Sequence, residues 1–300
     1  MYCLITPARN EGKHLPAIVE RIRDQTRRPI RWLIVDDGSS DATPALVETY
    51  SERHAWISGI HLDRGDAAYD TEFGYATVVA AGLEVIREEY AADWTRSRYV
   101  GILDADILVH PEYFATLLDE MHTREHCGVA SGLLHLDGKR DTPAGTPWGG
   151  AMLIDTRCLA EVGGYPITPS PDTVLRIKAE KRGWESLKTG AARGAQLRPP
   201  QSARGVWHGY KRKGTGRYYL HYHPVNALLT GVYHTLSPPF YAGIAYLYGY
   251  LGPYLRGEAR LDDQELEEYY RRERYDHLKQ SLRHRMAVVW NHATNTVRRG

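Results

Sequence analysis

Two short apolar runs end abruptly in neighbouring carboxylates, and no other feature restricts the fold of this chain as much. Tyr99-Val100-Gly101-Ile102-Leu103 stops at Asp104-Ala105-Asp106, and Trp32-Leu33-Ile34-Val35 stops at Asp36-Asp37. Continuous apolar runs of this length read as strands buried on both faces, the pattern of a parallel sheet covered by helices. In open sheets of that kind the ligand crevice lies outside the carboxyl ends of the strands. Residues i and i+2 of an extended segment point the same way, so Asp104 and Asp106 are expected to face one ligand. Two anions that close repel each other, and a divalent metal is the usual counter-charge. Oxygen-only ligands suit Mg²⁺ or Mn²⁺, which commonly bridge a carboxylate to a substrate diphosphate. The plainer alternative is a turn whose aspartates cap the next helix.

The rest of the first two hundred residues keeps the same rhythm. Tyr2 to Thr6 reads as a first strand running into the turn Pro7-Ala8-Arg9-Asn10-Glu11-Gly12. A helix is expected from about His14 to Asp24, with Leu15, Ile18, Val19 and Ile22 on one face. The turn after Val35 packs acids, Gly and hydroxyls together, and Asp41 or Thr43 can cap the helix behind it. Trp56 to Leu62 is a third strand, and Phe73 to Tyr90 a helix rich in small residues. Strands are also expected at Val129 to Leu136 and Ala151 to Ile154, with a Gly/Pro/Asp-rich loop from Asp137 to Gly150 between them. Gly163-Gly164-Tyr165 ends a short helix, and Ser170-Pro171-Asp172 begins another that runs to about Lys181. Alternation of this kind predicts an α/β fold with a mostly parallel central sheet flanked by helices.

Four segments, in this order, resemble the family 2 glycosyltransferases with the Rossmann-like GT-A fold. They are Thr6-Pro7-Ala8-Arg9-Asn10-Glu11, Val35-Asp36-Asp37-Gly38-Ser39-Ser40-Asp41, Leu103-Asp104-Ala105-Asp106, and Gly163-Gly164-Tyr165 followed by Pro171-Asp172. The resemblance covers roughly residues 1–190. It implies inverting transfer of a sugar from a nucleotide-diphosphate donor to an acceptor hydroxyl, dependent on Mn²⁺ or Mg²⁺. By the same resemblance Pro7, Arg9, Glu11, Asp36, Asp37 and Asp104 line the donor site, Asp106 is the metal ligand proper, and Asp172 is the general base. Asp172 also sits where a helix N-cap would, and Pro171 stands where many members carry Glu. Arg204 is a candidate for the diphosphate. Gln201-Ser202-Ala203-Arg204 is followed by Gly205 and not by Trp, a departure from the processive polymerases of the family. His208 is the candidate for a further metal ligand, with His221 and His223 competing for that role.

From residue 196 onward a basic, Tyr-rich, mainly helical extension is expected, separate from a catalytic region at 1–195. No acidic residue lies between Glu185 and Glu258, while nine basic residues do. The apolar runs Val225 to Leu236 and Phe240 to Leu255 fall in this stretch. The second is about 24 Å long as a helix, short of the roughly 30 Å core of a bilayer. It reads as lying on a membrane surface, or as a helical hairpin packed on protein. Anionic lipid phosphates attract such a segment, which favours a lipid-linked glycan acceptor over a soluble one. Three Cys at unrelated spacings and an N-terminus without a signal-like segment fit a cytoplasmic location, peripheral at the inner face of the membrane. A net charge of +1 gives no reason to expect nucleic acid. A homo-oligomer is compatible with the sequence. The alternatives from other classes are a non-catalytic nucleotide-sugar-binding scaffold and a nucleotidyltransferase. The latter wants a Gly-rich basic loop after the first strand, which Pro7-Ala8-Arg9-Asn10-Glu11 does not supply.

Overall fold

The computed structural model describes residues 1–63, 73–135, 141–143, 145–198, 205–236 and 238–273. The chain divides into two compact units, Met1–Gly205 and Val206–Gly300.

In chain order the first unit contains β1 (Tyr2–Ala8), α1 (Leu15–Arg23), β2 (Arg31–Asp36), α2 (Thr43–Arg53), β3 (Ile57–His61), α3 (Gly74–Glu88), α4 (Ala91–Arg96), β4 (Tyr99–Leu103), β5 (Ile107–Val109), α5 (Tyr113–His122), β6 (Cys127–His135), β7 (Ala151–Asp155), α6 (Thr156–Glu161), α7 (Pro171–Lys181) and β8 (Glu185–Gln196). One sheet has the order β3-β2-β1-β4-β7-β6-β8-β5. Its first half, β3-β2-β1-β4, is parallel throughout. β7 enters antiparallel between β4 and β6, and β5 pairs antiparallel with β8. The sheet is therefore mixed, with parallel pairs in the majority.

The apolar runs are continuous because alternate side chains feed two separate cores. Tyr2 and Leu4 of β1 join Trp32 and Ile34 of β2 on one face, under α1 and α5. Cys3 and Ile5 join Leu33 and Val35 on the other, under α3. Gly82 lets α3 approach closely, since a Cβ there would lie 2.9 Å from Val35 Cγ2.

β5 and β8 were not anticipated. β8 (ESLKTGAARGAQ) alternates buried and exposed positions only from Ala191 to Ala195 and has neither an apolar run nor a β-branched cluster. The helix expected over Phe73 to Tyr90 ends at Glu88, and a short α4 follows.

The second unit contains α8 (Val206–Tyr219), α9 (Pro224–Thr235), α10 (Tyr241–Arg256), α11 (Gln264–Glu268) and a π-helical turn, Tyr269–Glu273. α8 packs on α10 through Gly214 against the Tyr246 carbonyl and Gly249 against the Lys211 carbonyl, where a Cβ would find no room. α9 packs on α10 at Gly231, against Leu247. No helix among the described residues is long and apolar enough to cross a membrane.

Candidate active site

Three neighbouring parallel strands, β2, β1 and β4, end side by side, and their following loops carry the acidic residues. Ala8 pairs with Asp36 at the end of β2, and the Asp37 amide donates to the Ala8 carbonyl at 2.8 Å, which locks the two loops together. Arg9 Nη1 donates to the Asp37 carbonyl at 2.7 Å and lies 3.6 Å from its carboxylate. Asn10 adopts φ 55°, and its side-chain oxygen accepts from the Ser40 amide at 2.8 Å. Asn is among the few residues that take this left-handed conformation readily. Asp41 accepts from the Thr43 and Gly12 amides, each at 2.9 Å. Burial acts to raise its pKa, but these bonds and the Thr43 hydroxyl hold it below the usual carboxylate range. Asp41 thus closes the turn just ahead of α2, whose N-cap position is Ala42. Asp36 is buried, accepts from the Ser39 amide at 3.2 Å, and faces His61 Nδ1 at 3.1 Å.

β4 stops at Leu103, so Asp104 and Asp106 lie in a turn closed by the Ile107 amide on the Asp104 carbonyl at 3.1 Å. The expected strand-type alternation is not what brings them together; the turn is. Asp104 accepts from the Tyr75 hydroxyl of α3 at 2.7 Å. Burial pushes its pKa up to about 7, and the neighbouring Asp106 charge adds to the rise. Asp106 is 5% exposed and accepts from Arg198 Nε at 2.8 Å and from Gln196 Nε2 at 3.4 Å. The same guanidinium bonds Glu11 through Nη2. Glu11 is buried, which raises its pKa despite Arg198, and its Oε2 finds no partner among the described residues.

Asp172 lies in the first turn of α7, behind Ser170 at φ 56°. The loop before β7 passes alongside it. A Cβ on Gly149 would lie 2.6 Å from Asp172 Cβ, and one on Gly150 would overlap Asp104 Oδ2. Two consecutive glycines therefore let a single stretch of backbone touch both carboxylates. Tyr165 is buried beside them, and burial followed by the Asp172 and Asp104 charges raises its pKa. Trp148, one residue earlier, donates Nε1 to Asp141 at 2.6 Å, while Lys188 bonds the other oxygen of that carboxylate at 2.7 Å.

Asp104, Asp106, Glu11 and Asp172 are therefore linked through Arg198 and the Gly149-Gly150 backbone. Pro7 stands near the end of β1, opposite Val35. His208 falls in the first turn of α8, in the second unit. Of its two competitors, His221 bonds the Leu261 carbonyl through Nε2 and His223 caps α9, so both have structural work. Arg204 lies outside the described residues. Sequence reasoning missed Arg198, Gln196 and Tyr75. Arg198 stood in the acid-free stretch but in no motif.

Among the described residues no cluster of three or more His, Cys, Asp or Glu side chains is placed to hold a metal. The donor set nevertheless suits Mg²⁺ or Mn²⁺. Carboxylate oxygens from the Asp104–Asp106 turn, supplemented by substrate phosphates, are how such ions are commonly held. The orphaned Glu11 Oε2 shows unspent acceptor capacity beside Asp106.

Residues 3–144 match the model of glycosyl transferase family 2. The first unit belongs to that family. This family 2 unit has the GT-A fold, as its likeness to solved glycosyltransferases also shows. Mannosyltransferase PcManGT from Pyrobaculum calidifontis, solved with GDP-mannose and Mn²⁺, superposes with a TM-score of 0.58 at 17% identity, covering 86% of this chain and 88% of that one. S. aureus TarS 1–349, solved with UDP-GlcNAc, gives 0.51 at 14% identity, with 87% and 93% covered. By sequence the chain is 28% identical over 126 residues to dodecaprenyl-phosphate galacturonate synthase of Rhizobium johnstonii, 41% of this chain and 32% of that protein. It is 26% identical over 123 residues to glycosyltransferase GlyG of Streptococcus pneumoniae, 41% and 35%. These matches span about a third of the length of either curated relative.

Proposed function

We propose that the chain is a metal-dependent, inverting glycosyltransferase that moves a sugar from a nucleotide-diphosphate donor to the hydroxyl of a lipid-linked acceptor. The observation that carries this reading is the grouping of Asp104, Asp106 and Glu11 at the carboxyl ends of parallel strands, with Asp172 beside Asp104 across two glycines. That edge is where open α/β sheets bind ligands. Glu11, Asp36 and Asp37 are placed to accept from ribose or base donors. Asp104 and Asp106 would hold the divalent cation, which, when bound, would offset negative charge building on the departing diphosphate. Asp172 accepts the proton of the acceptor O–H as that oxygen bonds the anomeric carbon. The bond from that carbon to the diphosphate breaks on the opposite side, and the nucleoside diphosphate leaves with the electron pair.

A membrane-surface acceptor is supported by the second unit. Tyr241, Ile244, Tyr248, Leu251 and Leu255 are exposed at three- and four-residue spacing along α10. Val225, Leu228, Leu229, Val232 and Leu236 do the same along α9. A continuous apolar stripe turned to solvent marks a protein or membrane contact. Trp207 lies against Tyr241 and Tyr248, both at 6.3 Å between ring centres, and such aromatics suit a bilayer interface. The relative named for dodecaprenyl phosphate supports the same class of acceptor.

The test is a thermal-shift panel of UDP-, GDP- and dTDP-sugars with and without Mn²⁺. One nucleotide class should raise the melting temperature only when Mn²⁺ is present, and D106N should abolish the shift. No response to any donor would refute the assignment.

A further inference from the structure

Among its described residues the helical unit half-buries a group of basic side chains and sets no carboxylate against them. Lys213 and Arg217 are one turn apart on α8, so they share a face. His234 of α9 stands 3.4 Å from Lys213 Nζ through its Nε2. The walls are aromatic: Tyr210 lies 4.9 Å from His234 between ring centres and Tyr246 lies 6.0 Å from it, while the Arg217 guanidinium lies 5.0 Å from the Tyr222 ring. Arg217 Nη1 is fully buried and finds no acceptor among the described residues. Among the described residues no carboxylate pairs with Lys213, Arg217 or His234. Glu258, the acid that ends the long acid-free stretch, is taken by Arg256 and Tyr219. Burial, and then the Arg217 charge, holds the Lys213 pKa below its usual value. Burial, and then Lys213, does the same to His234.

A buried guanidinium N–H without an acceptor is destabilising, and two cations side by side add repulsion. An anion that completed the cluster would offset both costs. A planar donor fork, a mobile ammonium and an imidazole together match the several oxygens of a phosphate better than a single carboxylate.

We propose that Lys213, Arg217 and His234 form a phosphate-binding site in the helical unit, separate from the carboxylate site of the family 2 unit. The ligand class is a phosphate group, borne by a lipid headgroup or free in solution. The lipid source rests on the acceptor reading given above, because the same helices α9 and α10 carry the exposed apolar stripes. The site itself does not depend on glycosyl transfer.

The experiment uses the full chain, R217Q and K213Q, with R217K as a charge-keeping control. Inorganic phosphate is titrated against chloride at matched ionic strength while the melting temperature is followed. In parallel, flotation is measured on phosphatidylcholine vesicles with and without phosphatidic acid. The wild type should respond to at least one phosphate source, and R217Q and K213Q should lose that affinity by about tenfold or more, the worth of a charge-assisted bond. R217K should retain part of it. A response to inorganic phosphate assigns a free ligand as sufficient, and a response to phosphatidic acid alone assigns the lipid. Without phosphate, R217Q should melt no lower than the wild type, since it removes an uncompensated buried charge. Equal affinity in wild type, R217Q and K213Q, or a marked fall in the phosphate-free melting temperature of R217Q, overturns the proposal. Nucleotide binding with Mn²⁺ is measured on the same variants. If it persists while phosphate binding is absent from the wild type, this inference fails and the transferase reading stands.

Discussion

Arg198 stands 92 residues from Asp106 in sequence, yet its Nε donates to that carboxylate at 2.8 Å. Its Nη2 reaches Glu11 at the same time. One guanidinium therefore supplies the counter-charge that the proposed metal cation would bring to the same carboxylates. Because that guanidinium is 39% exposed, solvent screens the pairing, and R198Q should cost the metal-free protein only about 1 kcal/mol. The same 1 kcal/mol of lost competition should tighten Mn²⁺ roughly fivefold in the absence of nucleotide. Titration of the Mn²⁺ paramagnetic signal reads this directly. Unchanged or weaker binding in R198Q would show that Arg198 does not compete with the metal.

Asp104 should make stability depend on pH. Folding raises its pKa from the usual carboxylate value of 3.8 to about 7. Between those values the native state binds more protons than the unfolded chain, so stability falls as pH rises through that window and levels off above it. D104N cannot ionise and should escape this loss. The melting temperature of the wild type should drop relative to D104N by on the order of 5 °C between pH 4 and pH 8. A constant difference would place the titration elsewhere.

Gly149 and Gly150 should fail differently when given a side chain. G150A drives its Cβ into Asp104 Oδ2 and should weaken Mn²⁺-dependent donor binding. G149A presses on Asp172 at 2.6 Å and should lower transfer while sparing the donor. Calorimetry on the nucleotide and turnover assays separate the two, and identical phenotypes would dissolve the distinction.

D172N should leave donor affinity intact and reduce turnover by about 10²–10⁴-fold, the usual worth of a general base. Full turnover in D172N would leave that aspartate as no more than the opening residue of α7.

Leu229 and Ile244 are 59% and 58% exposed, so L229E and I244E should not disturb folding. Each should lower flotation with anionic vesicles, and the pair should abolish it. Retention equal to wild type would remove the membrane contact from α9 and α10.

The strands carrying Glu11, Asp36 and Asp104 were legible because burial on both faces demands unbroken apolar runs, and carboxylates at their ends stand out. β8 was illegible. Its Gly194 is chosen for closeness, with a Cβ 3.0 Å from the Leu108 carbonyl, and of its basic residues Arg193 is exposed while Lys188 is turned in to Asp141. Neither residue type signals a strand. Arg198 was hidden for another reason: its role depends on β8 pairing beside β5, a contact no local pattern encodes. Tyr75 likewise reads as one aromatic among many until α3 is laid on the sheet.

The antiparallel entry of β7 between β4 and β6 has a practical consequence for anyone dividing this chain. The family match stops at residue 144, before β7 begins at Ala151. A fragment trimmed to that match would strip β4 of its neighbour and leave Tyr99 to Leu103 as a bare, sticky border. It would also lose the loop backbone that braces Asp104. Such a truncation should come out of cells as insoluble material, whereas one ending past β8 keeps all eight strands in the sheet and β4 paired on both sides.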